Sequence, residues 1–140
     1  MSTVLWANSL IEGKVESDQS DKYALYKHLD KLDKVCRSTG LSPLSAICDS
    51  TDAKYNLDEI ELPDGMESTN ELMARDGVWM DAQAAVNLME SLLAEITAKK
   101  TRFGLFSDSH ADVVAELRDT IVFAKTAASK NARFNFAIVM

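Results

Sequence analysis

The segment that most constrains the fold of this chain is its final stretch, residues 133–140, which reads RFNFAIVM. Apolar side chains recur in it with a period of two, at Phe134, Phe136, Ile138 and Met140. This alternation is typical of a β-strand. A lone strand leaves its backbone N–H and C=O groups unpaired, and an isolated hairpin is marginal in water, so the segment requires a partner elsewhere in the chain.

The best partner lies at the other end of the sequence. Residues 3–11 read TVLWANSLI, which is rich in β-branched and aromatic residues, and Glu12-Gly13 follows as a predicted turn. We therefore expect a small sheet in which the N-terminal and C-terminal strands pair.

Three helices are predicted between these strands. Leu25, Leu29, Leu32 and Cys36 define a helical face over about residues 21–38. A second helix begins at the N-cap Asp81 and ends near Lys99-Lys100, and a third begins near Ser107 or Ser109 and ends near Lys130. The fold class we predict is α+β, a predominantly helical single domain over 1–140 with about three main helices packed on a small sheet.

Negative charge is concentrated in the middle of the chain. Residues 49–76 hold nine acids and two bases, a net charge of −7, which is the formal charge of the whole protein. We expect this segment to be largely irregular and to fold back onto the body, because long structureless connectors are uncommon. A solvated connector is the favoured interpretation, and a docking surface for a basic partner is the sharper alternative. A cation site is the third interpretation, although the segment lacks the ligand spacing of an EF-hand calcium loop.

The candidate binding residues lie in this region and just beyond it. The acidic candidates are Asp58, Glu59, Glu61 and Asp64, and the aromatic candidate is Trp79. Tryptophan is enriched at interaction hot spots, but the apolar neighbours of Trp79 favour a place in the core. Trp6 is interpreted in the same way. Arg102, Phe103, Leu105 and Phe106 put several apolar residues into a predicted loop, which either packs under the sheet or forms an exposed contact patch.

No motif indicates a particular chemistry. Cys36 and Cys48 are separated by eleven residues and lack the paired spacing of a zinc site, so we interpret them as core residues. His28 and His110 have no catalytic signature around them, and the five glycines are isolated. We therefore expect no catalytic residues, no metal and no cofactor.

The leading functional hypothesis is a small interaction or regulatory protein that acts through protein–protein contacts. Its expected partner is a protein, with a basic partner or a second copy of the chain as the named options. Alternatives are a hydrolase-like enzyme whose site is assembled from distant residues and an immunity-type neutraliser of a basic toxin. The acidic balance argues against nucleic-acid binding. Without a signal sequence or membrane span, we expect a cytoplasmic protein.

Overall fold

A computed structural model describes residues 2–57 and 60–140 of the chain. The strands are β1 (Val4–Ile11), β2 (Lys14–Ser17), β3 (Cys48–Asp49), β4 (Met80–Asp81) and β5 (Arg133–Val139). The helices are α1 (Tyr23–Lys27), α2 (Leu29–Ser38), α3 (Thr51–Asn56), α4 (Thr69–Asp76), α5 (Ala82–Ala98) and α6 (His110–Ser129). A 3-10 turn, Leu44–Ile47, precedes β3.

The predicted pairing of the two terminal strands is confirmed. β1 and β5 pair in antiparallel fashion over the whole length of β5, from Val4 opposite Val139 to Leu10 opposite Arg133. β2 pairs with the outer edge of β1, and the other edge of β5 pairs with the two-residue strands β3 and β4. β5 is therefore the central strand, and both of its edges are hydrogen-bonded to other strands. The helices and the sheet together confirm the predicted α+β fold class.

The register divides the sheet into two faces. Leu5, Ala7, Phe134 and Phe136 point to one face and join the main core with α5 and α6. Trp6, Asn8, Asn135 and Ala137 point to the opposite face, because successive strand residues alternate. Helices α3 and α4, from the acidic segment, contact this second face along β5 and β2.

The helix predicted over 21–38 is divided at His28, whose φ and ψ of −107° and 21° leave the helical region. α1 packs against β1 and α6, whereas α2 packs against α5, so the two pieces serve different parts of the core. The first amides of α1 are capped from a distance, because the Glu116 carboxylate on α6 accepts hydrogen bonds from Ala24 N and Leu25 N at 3.2 and 3.0 Å. The predicted N-cap Asp81 is confirmed, with Oδ2 accepting from Ala84 N at 3.0 Å.

The acidic segment contains more regular structure than its composition suggests. α3 lies in a stretch that we expected to be irregular. α4 begins at the N-cap Ser68, whose Oγ accepts from Glu71 N at 3.3 Å. Asp49, which is buried, ties the segment to the sheet because its carboxylate accepts from Thr51 N at 2.9 Å and Val78 N at 2.8 Å. The part of this segment that the structure describes is thus anchored at both ends.

Candidate functional site

The candidate residues of the acidic segment do not form one cluster that can be described. Asp58 and Glu59 lie outside the described residues, whereas Glu61 and Asp64 are exposed. Trp79 is half-buried, and its indole N–H donates to the Met73 carbonyl at 2.9 Å. Its polar atom therefore holds the end of α4 against β4. Whether any of these five residues binds a partner stays a prediction.

The most unusual surface of the described chain is the loop between α5 and α6, residues 101–109, which we call the tip loop. Leu105 is 89% exposed and Phe106 is completely exposed, and the two are adjacent in the chain. Phe103, two residues earlier, is completely buried in the main core. The loop thus divides its apolar residues between an internal anchor and an external pair.

The conformation of the tip loop is held by its own hydrogen bonds. Asp108 Oδ1 accepts from Phe103 N at 2.9 Å and from His110 N at 3.0 Å, and Ser109 N donates to Phe103 O at 2.7 Å. These bonds to backbone N–H groups lower the pKa of the Asp108 carboxyl group below its ordinary value. The loop is therefore closed at its base.

Arginine and glycine shape the outer turn. The Arg102 guanidinium donates from Nε to Gly104 O at 2.9 Å and from a terminal nitrogen to Leu105 O at 3.1 Å. Gly104 has φ of +112°, and a Cβ there would lie 2.3 Å from Ser107 O, so another residue would strain the turn. Leu105 and Phe106 are consequently presented by a backbone that is already ordered.

Two histidines lie at the base of the tip loop. The His110 Nδ1 atom is 2.6 Å from Thr101 O, and since a carbonyl only accepts, Nδ1 carries the proton. The His28 ring lies 5.6 Å from the Phe103 ring, centroid to centroid, and His28 Nε2 is buried without a partner among the described residues. Burial, followed by the charges of Lys27 and Lys31, lowers the pKa of His28.

A second feature lies between the second face of the sheet and helices α3 and α4. It is a small cleft of about 70 Å³, which we call the polar cleft. Its polar and aromatic lining includes Trp6, Asn8, Ser17, Asp52, Thr69 and Asn70. The Trp6 indole N–H donates to Asp21 Oδ1 at 2.7 Å, which fixes the orientation of that ring.

The described residues bring together no catalytic constellation that we recognise. Burial raises the pKa of the Cys48 thiol to about 12 and that of Cys36 above its ordinary value, so neither is a thiolate near neutral pH. Within residues 2–57 and 60–140, no three His, Cys, Asp or Glu side chains are placed to hold a metal ion. No helix in the same ranges is long and apolar enough to span a membrane.

Sequence reasoning singled out the apolar residues of the tip loop but could not separate the buried one from the exposed pair. It missed the polar cleft, whose residues come from β1, β2, α3 and α4 and have no common local pattern. No protein-family model, curated protein or solved structure matches this chain.

Proposed function

We propose that this protein is an interaction module that binds a partner protein by inserting Leu105 and Phe106 into an apolar pocket of that partner. The observation that carries the proposal is the high exposure of this adjacent pair on a loop whose backbone is held by hydrogen bonds. A folded chain gains nothing from presenting two large apolar side chains to water, whereas a partner that buries them gains about 1.5–3 kcal/mol from each.

The order of the loop supports the same proposal. Binding costs conformational entropy when a flexible segment must be fixed, and a loop that is already ordered avoids most of that cost. Buried Phe103 acts as the internal anchor, and Arg102 supports the turn that carries the exposed pair. Apolar anchors that enter a partner's pocket, surrounded by near-neutral contacts, are the usual arrangement of a binding hot spot.

The test is a double variant, Leu105→Ser with Phe106→Ser, compared with Val122→Ser as the matched control. Val122 is a large apolar residue that is 67% exposed on α6, outside the tip loop. The wild type and both variants are immobilised and exposed to an extract of the cells that make the protein. Self-association of each is followed by sedimentation. We expect a partner or a second copy to bind the wild type and the control at least about 100-fold more tightly than the double variant.

The double variant should melt within about 2 °C of the wild type, because exposed side chains contribute little to stability. The proposal is wrong if every bound protein and every self-associated species is retained equally by the double variant and the control.

A further inference from the structure

The polar cleft offers a binding site that is independent of the tip loop, and we propose that it binds a primary ammonium group on an alkyl stem. The floor of the cleft carries the main observation. Asn8 is only 2% exposed, and its Nδ2 atom donates to Asn135 Oδ1 at 3.0 Å, while Asn135 Nδ2 donates to Val78 O at 2.9 Å. These bonds fix the orientation of the Asn8 amide.

The other atom of that amide, Asn8 Oδ1, receives no hydrogen bond from any described residue. In the described part of the chain, His28 Nε2 is the only fully enclosed side-chain polar atom without a partner. Asn8 Oδ1 therefore keeps some exposure, and because Asn8 lines the cleft, that exposure is to the cleft. A donor on a ligand that enters the cleft can therefore replace solvent at this acceptor and make a hydrogen bond to a fixed oxygen.

The remaining walls favour a cationic donor over a neutral one. Asp52 contributes a carboxylate that accepts from Thr69 Oγ1 at 2.9 Å and Asn56 Nδ2 at 3.2 Å and still has free lone pairs. The Trp6 ring adds an aromatic wall of the kind that attracts cations. An ammonium group supplies three donors and no acceptor, which suits Asn8 Oδ1 and the Asp52 carboxylate. Gln19 and Asn70, which also line the cleft, each offer an amide oxygen beside their N–H donors.

No basic side chain of the described residues fills this role from within the protein. The lining of the cleft contains no lysine, arginine or histidine. The nearby Lys22 is buried, and its ammonium group is held by Asp18 and by Ser20 O, the latter at 2.9 Å. The cation that satisfies the cleft therefore comes from outside, either as a free alkylamine or as a lysine side chain of a peptide.

The experiment titrates the isotopically labelled full chain with n-butylammonium chloride and follows backbone and side-chain amides by NMR. Two arms separate the sources of the group, with n-butylammonium as the free amine and the capped peptide Gly-Gly-Lys-Gly-Gly as the lysine donor. n-Butanol and an equal concentration of sodium chloride are the controls. We expect saturable shifts at the Asn8 and Asn70 side-chain amides and the Trp6 indole N–H with at least one of the two amines.

Asp52→Asn and the remote surface variant Asp119→Asn make the same change of charge. We expect Asp52→Asn to weaken amine binding at least about fivefold and Asp119→Asn to leave it unchanged. Equal shifts with n-butanol, the absence of saturable shifts at the cleft with both amines, or equal binding by the two variants would overturn the proposal. If Asp52→Asn does not fold, the wild-type comparison of amine with n-butanol decides alone. The tip-loop variants do not bear on this result.

Discussion

At the scale of single residues, His28 is notable because one of its ring nitrogens is buried without a hydrogen-bond partner among the described residues. Its ring packs against Phe103, the internal anchor of the tip loop. Desolvation and the charges of Lys27 and Lys31 favour the neutral imidazole, so the folded-state pKa lies below the ordinary value of 6.5. The protonation state of this ring is consequently linked to folding.

Because neutral His28 is favoured in the folded state, the stability of the protein should depend on pH. The stability contributed by neutral His28 is fully present above about pH 6.5 and is lost as pH falls through the lower folded-state pKa. We expect the free energy of unfolding, measured with urea between pH 8 and pH 5, to fall more steeply for the wild type than for His28→Phe. An identical fall in both proteins would show that His28 is not responsible.

A second prediction at this scale concerns Glu116, which caps α1 from α6. Burial is the largest influence on this carboxyl group and raises its pKa above the ordinary value of 4.5. When the folded-state pKa of an acid is raised, the folded protein loses stability as pH rises from the unfolded-state pKa to the folded-state pKa. We therefore expect the stability of the wild type relative to Glu116→Gln to decrease as pH rises from 4 to 7. A relative stability that increases over this range would contradict the assignment.

At the scale of elements, the attachment of α4 depends on a close approach at its C-terminal end. A Cβ on Gly77 would lie 2.5 Å from Met73 O and 2.8 Å from Asp49 Oδ2, both shorter than real contacts. Gly77→Ala should therefore displace Asp49 from its bonds and destabilise the protein by about 1–3 kcal/mol. Arg75→Ala, in the same helix, removes only an exposed ion pair and should change stability by less than about 0.5 kcal/mol. Chemical denaturation of both variants measures the difference, and equal stabilities would refute the tight contact.

The elements that could be predicted are those with a strong local period. β1, β5, α5 and α6 have long alternating or helical patterns, and their boundaries follow from residues such as Asp81. β3 and β4 have only two residues each and exist because β5 offers an unpaired edge, which no local pattern records. The cap that Glu116 supplies to α1 comes from more than ninety residues away in the sequence.

The candidate sites, too, could be predicted only where a local sequence pattern indicates them. The sequence indicated an apolar loop near Phe106, but Phe103, Leu105 and Phe106 are chemically alike, and only their tertiary surroundings separate the anchor from the exposed pair. The polar cleft depends on where α3 and α4 lie over Asn8 and Trp6, which neither composition nor spacing determines.

At the scale of the whole molecule, the central position of β5 predicts that its C-terminal end contributes strongly to stability. Deleting residues 138–140 removes the pairs that Ile138 and Val139 form with Leu5 and Val4, and it removes a half-buried side chain that packs on the core. We expect a loss of at least about 2 kcal/mol in unfolding free energy. Deletion of Met140 alone, which lies beyond the strand, should have little effect. Equal thermal stability of the two truncated proteins would contradict the sheet described above.

The proposal that the tip loop binds a partner protein is tested most directly by photo-crosslinking in the cells that make the protein. A p-benzoylphenylalanine side chain replaces Phe106 in one variant and Val122, also exposed, in the other. We expect discrete adducts of defined mass from position 106, identified by mass spectrometry, and few or none from position 122. An absence of adducts at position 106, or equal adducts at both positions, would contradict the account.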